Sequence, residues 1–286
     1  MNTYFDCMPC FIRQTLDAAR FATSDKNIHE SVLREVFAAL STMDLEKSPP
    51  QMGQIIHRII RKSTGNIDPY KAVKKQSNDH VLALIPKLKG TIRSSPNAFE
   101  TAVRFAMAGN IIDFGLNTKI DQHMINKSVE QALSNRLFGD IAPLRKAVFK
   151  AREILYLADN AGEIVFDRLF IELLPLDKIT LAVRGNPVLN DATIDDAKDT
   201  GVTDIVRVID NGSDAPGTIL EGCSITFRQA FQNADLIISK GQGNYETLSN
   251  SSKAIFFLLK AKCPVIAEHI GCEVGDVVIK SINEVV

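Results

Sequence analysis

Leu155-Tyr156-Leu157-Ala158-Asp159-Asn160-Ala161-Gly162-Glu163 ends an apolar run abruptly at Asp-Asn, passes a glycine and opens onto a helical pattern over residues 164–174. A buried strand that delivers two adjacent oxygen-bearing side chains to a strand-helix turn is one way an α/β protein builds a hard-metal or phosphate site at the carboxyl edge of its sheet. Two further strand ends carry polar clusters, Val183-Arg184-Gly185-Asn186-Pro187-Val188-Leu189-Asn190-Asp191 and Ile238-Ser239-Lys240-Gly241-Gln242-Gly243-Asn244-Tyr245-Glu246. Three such edges in one sheet point to one active site.

Outward from that stretch, short apolar segments at 154–158, 179–183, 205–209, 236–239 and 265–267 alternate with helical patterns at 164–174, 192–200, 225–233 and 245–249. This interleaving predicts an α/β fold, a mostly parallel sheet with flanking helices of the Rossmann-like kind. Residues 254–259 read equally well as strand or helix. The first 150 residues read differently, as helices with apolar positions at helical spacing in 10–21, 33–40, 55–60 and 81–88. Asp68-Pro69 and Ser95-Pro96 each place a proline where a helix begins, and Gly109 closes the helix that follows the second pair. The expected organisation is a helical N-terminal region, 1–150, and an α/β metal- and phosphate-binding domain, 151–286. With no repeat or flexible linker between them, the two are expected to pack as one rigid body.

A net charge of -1 over 286 residues argues against bulk binding to nucleic acid or an anionic membrane. No apolar run reaches the roughly 18 residues a membrane span requires, and the opening Met1-Asn2-Thr3-Tyr4-Phe5-Asp6 lacks the basic-then-apolar pattern of a signal peptide. The expectation is a soluble, cytoplasmic chain with a small-molecule partner; oligomeric state is not readable. Five cysteines in a chain of this size do not make a disulfide scaffold.

Each polar cluster has a bland reading beside a functional one. Asp159 and Asn160 are hard oxygen donors suited to a divalent ion with open positions, or they form an N-cap turn. Gly162 lets the backbone approach a ligand, and the helix that follows favours an anion. Asn190-Asp191 either joins the same site or caps the next helix, whose Asp195 and Asp196 read as first-turn dipole partners. Arg184 either clamps a phosphate or forms an ion pair. Lys240 ahead of a glycine-rich turn reads as a phosphate cradle. It is neither a Walker A loop nor a dinucleotide fingerprint, since Glu246 stands where a third glycine belongs. Asn110 and Asp113, in Gly109-Asn110-Ile111-Ile112-Asp113-Phe114-Gly115, either close the pocket from the helical side or belong to a turn after a glycine cap. Cys7-Met8-Pro9-Cys10 is a zinc or redox candidate, with His269 and Cys272 as further zinc ligands if the termini meet, or the small-residue start of a helix.

Together, Asp-Asn-x-Gly-Glu-x-x-x-Asp (Asp159 to Asp167), Arg-x-x-Pro-Val-x-Asn-Asp-Ala-Thr (Arg184 to Thr193) and Lys-Gly-x-Gly-Asn-Tyr-Glu (Lys240 to Glu246) resemble the metal-dependent damage-control phosphatases, first catalogued as domain of unknown function 89. The CxxC and the Gly-Asn-Ile-Ile-Asp-Phe-Gly segment resemble its CxxC-bearing, prokaryotic-type branch, and the likeness covers nearly the whole chain. It implies a site between the helical region and the α/β domain, a divalent metal held by Asp159, Asn160 and Asp191, a substrate site lined by Gln242, Gly243, Asn244, Tyr245 and Glu246 with Arg184, and Lys240 near the phosphate. Glu163, in the first of these motifs, is a further candidate for the pocket. The Arg-Thr-x-Lys motif of the eukaryotic sugar-phosphate branch is absent from Pro264-Val265-Ile266-Ala267-Glu268-His269, which counts against fructose-phosphate-like substrates.

The expected function is therefore a divalent-metal-dependent phosphatase (manganese, nickel, cobalt or magnesium) acting on small phosphorylated, damaged metabolites, with Asp159 and Lys240 in catalytic roles. Asp159-Asn160-Ala161 lacks the Asp-x-Asp of aspartyl-phosphate phosphatases, so metal-activated water is favoured over a covalent aspartate. The alternatives are an S-adenosylmethionine-dependent carboxyl methyltransferase and a non-enzymatic metal- or redox-sensing module.

Overall fold

The computed structural model describes residues 1–109, 130, 131, 133, 134 and 136–283. Asn110 and Asp113 lie outside the described residues. Three helices open the chain: α1 (Cys7–Ala22), α2 (Lys26–Ser41) and α3 (Pro49–Thr64). Their apolar stripes, including Phe11, Val32, Val36, Met52, Ile56 and Ile60, close on one another as a small separate core. Asp25 caps α2 by accepting from Asn27 N–H, and α3 starts on Pro49-Pro50 and stops at Gly65, φ 69°.

α4 (Lys71–Leu82), α5 (Ile85–Ser94) and α6 (Ala98–Ala108) follow. The single helix expected over 81–88 is two, because the chain turns at Ala83-Leu84 and Pro86 starts α5 near its N-terminus. Pro69 and Pro96 lie ahead of the helices they announce: α4 begins at Lys71, and α6 at Ala98 behind its cap Asn97. Gly109 does end α6 but with φ -56°, so a left-handed cap is not the reason for glycine there. Its Cα faces Glu163, where an added Cβ would lie 2.7 Å from Cγ.

The sheet comprises, in chain order, β1 (Leu137–Phe138), β2 (Ile154–Leu157), β3 (Ile179–Val183), β4 (Arg207–Asp210), β5 (Leu236–Lys240), β6 (Ile255–Lys260) and β7 (Val277–Ile282). Their order across the sheet is β1-β7-β6-β5-β2-β3-β4, and among the described residues only the β6–β7 pair is antiparallel. The ambiguous segment 254–259 is thus a strand, β6. Residues 265–267 are helix instead of strand, because Pro264 occupies the first turn of α12 (Pro264–Ile270) behind Cys263. The strand expected over 205–209 begins two residues later, after a short 3-10 turn at Val202–Asp204.

Side chains alternate across the central strands with period two. Ile154, Tyr156, Leu181, Ile238 and Leu258 face a core shared with α4 to α6, α7 (Ile141–Lys150) and α8 (Glu163–Ile171). Leu155, Leu157, Ile237, Phe257 and Leu259 face a second core with α10 (Ile225–Asn233), α11 (Gln242–Leu248) and α12; α9 (Ile194–Asp199) lies between β3 and β4 in the chain. The first of these cores runs continuously from Val81 to Ile279, so helices of the N-terminal region cover one face of the sheet directly. Among the described residues no helix is long and apolar enough to cross a membrane.

Candidate functional site at the carboxyl edge of the sheet

β2, β3 and β5 are adjacent and parallel, with Leu157 paired to Ala182 on one side and to Ser239 on the other. Their carboxyl ends therefore bring Asp159, Arg184 and Lys240 to one edge. The turn after β2 and the loop after β3 are stitched together by Ala161 N–H to Asn190 O (2.8 Å) and Ala192 N–H to Asp159 O (2.8 Å), which sets Asn160 opposite Asp191. Gly162, φ 75°, gives its N–H to Asn78 Oδ1 of α4 at 2.6 Å. Asn78 Nδ2 reaches Asp196 Oδ1 at 3.0 Å, so one helical-region amide ties both turns. Asp196 also pairs with Lys74 (3.0 Å) and accepts from Thr193 N–H (2.9 Å), a larger part than the helix-dipole role read from sequence.

Arg184 is buried among these groups, 3 % exposed. Nε donates to Asp191 Oδ2 at 2.6 Å and Nη1 to Asn244 Oδ1 at 3.2 Å. Nη2 has no hydrogen-bond partner among the described residues and stands 3.9 Å from Asp159 Oδ1. A buried guanidinium nitrogen with an unspent donor is costly unless an anion or water takes it. Asn244 fixes the arginine: its Nδ2 donates to Lys240 O (2.9 Å) and Ala158 O (3.3 Å), while Oδ1 accepts from Arg184 and from Thr218 Oγ1 (2.8 Å).

Lys240, expected beside a phosphate, is placed differently. Its ammonium is wholly enclosed and donates to Glu163 Oε1 (2.6 Å), Asp167 Oδ1 (2.6 Å) and Ala106 O (2.8 Å). All three hydrogens are spent within the core. Burial works against this charge, but Asp167 and Glu163 outweigh it and hold the pKa above the usual lysine value. Asp167 also accepts from Tyr156 Oη at 2.7 Å.

Asp159, Glu163, Asp167 and Asp191 with Lys240 and Arg184 form one linked network. When ionised, its four carboxylates exceed its two cations by two charges. The consequence appears at Asp159, whose pKa is pushed up to about 8 by burial, then by Glu163 and Asp191, against the pull of Arg184 and Lys262. Burial likewise raises Asp191 despite Arg184, and takes Asp167 up to about 6. Lys262, just past β6, is a cation that the sequence reading missed; its only signal was its place beyond a sheet edge.

The run 242–246 divides. Asn244 faces Arg184, whereas Gln242 bonds Glu246 Oε1 (2.9 Å) and Lys262 N–H (3.1 Å). Tyr245 is buried in the second core with its hydroxyl 2.7 Å from His269 Nδ1. Gly243 packs on Pro216, whose carbonyl oxygen would lie 2.1 Å from an added Cβ. Cys7 and Cys10 are free thiols in the first turn of α1. Burial raises the pKa of both, and the charge of Glu246 raises them further. Among the described residues no three His, Cys, Asp or Glu side chains form a metal-holding group; the Asp159–Asn160–Asp191 set is two carboxylates and an amide.

A largely parallel sheet with helices on both faces, gathering acidic, amide and guanidinium groups at adjacent strand ends, defines an α/β protein with a candidate ligand site on the carboxyl edge. The chain belongs to the family of the damage-control phosphatase ARMT1-like domain, whose model matches residues 3–278. It is 33% identical over 284 residues to a protein named damage-control phosphatase from Pyrococcus horikoshii, covering 97% of each chain. It is also 33% identical over 286 residues to one of that name from Archaeoglobus fulgidus, covering 97% of this chain and 98% of that one. A protein of Methanocaldococcus jannaschii is 37% identical over 286 residues, 95% of this chain and 92% of its own. The crystal structure of a domain-of-unknown-function-89 family protein from Pyrococcus horikoshii superposes with a TM-score of 0.90 at 32% identity, covering 99% of this chain and 100% of that one.

Proposed function

We propose that this chain is a divalent-metal-dependent phosphatase acting on small phosphorylated metabolites, with its site at Asp159, Asn160, Asp191 and Arg184. The observation that carries the reading is the unspent, buried Nη2 of Arg184 beside two carboxylates, Asp159 and Asp191, whose pKa values are raised by burial first and by the charge of Glu163 after it. The names of the Pyrococcus and Archaeoglobus relatives support phosphatase chemistry.

The residues present suit a hard divalent cation. Two carboxylates and an amide carbonyl are oxygen donors, and the network's excess of two negative charges equals one such ion. A divalent ion held by Asp159, Asn160 and Asp191 would supply Lewis-acid withdrawal of charge from a phosphoryl oxygen. Arg184 Nη2 then donates to another phosphoryl oxygen, while Asp191 and Asn244 keep the guanidinium from turning. Lys240 orders carboxylates behind the site instead of touching substrate. A ligand role suits Asp159, whose one oxygen accepts from Asn160 while the other faces Arg184. Direct attack by water is therefore preferred to a phospho-aspartate.

Hydrolysis of an aryl phosphate by chelator-stripped protein, titrated with Mg²⁺, Mn²⁺, Co²⁺ and Ni²⁺, tests this beside Asp159→Ala and Asp191→Ala. Turnover should return with metal and fall about 10²–10³-fold in each variant, the cost typical of losing one preorganised charge stabiliser. Turnover that survives chelation, or that both variants retain, defeats the reading.

A further inference from the structure

We propose that Glu163 is a positioning residue that fixes which end of the Asn160 amide is presented to the metal, with Lys240 locking Glu163 for that task. This rests on the reading of Asn160 as a metal ligand. An amide offers an acceptor oxygen at one end and two donor hydrogens at the other, and only the oxygen can ligate a cation. Both hydrogens of Asn160 Nδ2 are spent on carboxylates, one on Asp159 Oδ2 at 2.8 Å and one on Glu163 Oε2 at 3.1 Å. A rotated amide would set its oxygen against those two carboxylates and turn its hydrogens toward the cation, wrong at both ends.

Asp159 cannot set this orientation alone, because its carboxylate is itself a ligand whose charge the cation would share. Glu163 stands one step back at 0 % exposure, at the start of α8. Lys240 Nζ occupies its Oε1 at 2.6 Å, which directs Oε2 to Asn160. Lys240 is held in turn by Asp167 Oδ1 and Ala106 O, and the end of α6 closes on Glu163 at Gly109. The chain Ala106–Lys240–Glu163–Asn160 accounts for a lysine at a ligand-bearing strand end being sealed from any ligand. Outer partners of this kind orient metal ligands and are worth about 10–100-fold in affinity.

Glu163→Gln reverses one polarity while keeping size and shape. Lys240 needs an acceptor, so the introduced amide gives it oxygen and turns its hydrogens on Asn160 Nδ2, donor against donor. Titration calorimetry of the metal-stripped full-length chain with Mn²⁺ should show binding about 10–100-fold weaker than wild type, with cooperative unfolding retained. Asn160→Asp reverses what Glu163 must offer, because an aspartate there needs a donor where the Asn160 amide needs an acceptor. Compared with Asn160→Asp alone, which carries the same extra ligand charge and the same contact with Asp159, the double variant should bind Mn²⁺ no more weakly, whereas a merely structural role for Glu163 predicts the same loss in both backgrounds. Wild-type affinity in Glu163→Gln, or an equal loss when Glu163→Gln is added to Asn160→Asp, overturns the proposal. If Asp159→Ala loses Mn²⁺ while Glu163→Gln binds it normally, the metal site stands and only the positioning role falls. No Mn²⁺ binding by wild type removes both.

Discussion

Gly241 meets the strictest steric demand at the site. Its φ of 79° lies where side chains are disfavoured, and an added Cβ would stand 2.0 Å from Asp159 Oδ2. Gly271 also has a positive φ, 86°, but with ψ 36° it is left-handed, and nothing lies within 4 Å of the added atom, so it carries backbone strain without crowding Asp159. Gly271→Ala should cost about 1–2 kcal/mol of stability, and Gly241→Ala, at ψ 162° in a region nearly restricted to glycine, about 1–3 kcal/mol for the backbone alone. Only Gly241→Ala should also lower turnover, by about 10²-fold, the scale of a displacement near 1 Å. Aryl phosphate turnover of both variants at saturating metal is the check, and equal turnover would mean that Asp159 tolerates the shift. At this scale the sequence was informative about where Asp159, Asn160, Asp191 and Arg184 come together, because parallel strands bring the polar residues that end them to one edge of the sheet. Lys240 obeyed the same rule of position and yet points inward. The signal for that lay elsewhere: Glu163 and Asp167 are one turn apart on a helix with Ile164, Val165 and Phe166 between them, and two carboxylates buried on one face of such a helix require a buried cation.

Among the elements, α3 does more than complete a three-helix core. Gln54, Arg58 and Arg61 fall on one face, and all three bond the Asp214 carboxylate, with Gln54 Nε2 at 2.6 Å and Arg58 Nε at 2.8 Å. Arg61 also donates to Pro187 O at 2.9 Å, so α3 holds the loop carrying Asp191 and the loop after β4 together. Helical spacing revealed the apolar face of α3, but it carries no information about a partner more than 150 residues away. The same limit explains the single helix read over 81–88, where two apolar segments join at a turn without a break in spacing. Residues 265–267 differ, since a proline at a helix's first turn was legible and the apolar triplet outweighed it.

His57 sits on α3, 4 % exposed, with Nε2 lacking a partner among the described residues. Burial, then the charge of Arg61, depress its pKa to about 4 against the opposing pull of Asp214. The unfolded chain, near pKa 6.5, then binds a proton that the folded chain refuses between those values. The stability this group contributes is complete above about pH 6.5 and is lost as pH falls toward about 4, amounting to roughly 3 kcal/mol at 1.36 kcal/mol per pKa unit. Urea unfolding at both ends of that window should show a smaller loss in His57→Gln than in wild type. An identical loss would mean that His57 is protonated in the folded protein.

For the molecule as a whole, the sequence changes texture at residue 150 with no linker there, and one core joins Val81 and Met107 to Leu181, Ile238 and Ile279 across that point. Texture along a chain reports the kind of element, and layers form only when the chain folds back, so helices of the first part could cover the sheet of the second without any sequence mark. This matters at the site, where Asn78 of α4 and Ala106 of α6 brace turns that follow β2 and β5. The native fold thereby concentrates four carboxylates against two cations, a repulsion that the unfolded chain relaxes. With its pKa raised to about 8, Asp159 must on folding near neutral pH either take up a proton or bear a repelled charge. Asp159→Asn does neither and should therefore raise the melting temperature of the metal-free protein above that of metal-free wild type. Metal should reverse the order. A ligand binding only the folded state at 100 times its Kd adds about 2.7 kcal/mol, and for a chain of this size each kcal/mol moves the midpoint by roughly 2–4 °C. Wild type should thus gain roughly 5–10 °C on saturation with Mn²⁺, while Asp159→Asn, which offers a neutral amide oxygen where wild type offers a carboxylate, should gain less and melt below it. Thermal unfolding of both proteins with chelator and with Mn²⁺ decides the matter. If metal-free Asp159→Asn melts below metal-free wild type, the carboxylates are already compensated and the excess charge is not what the cation relieves.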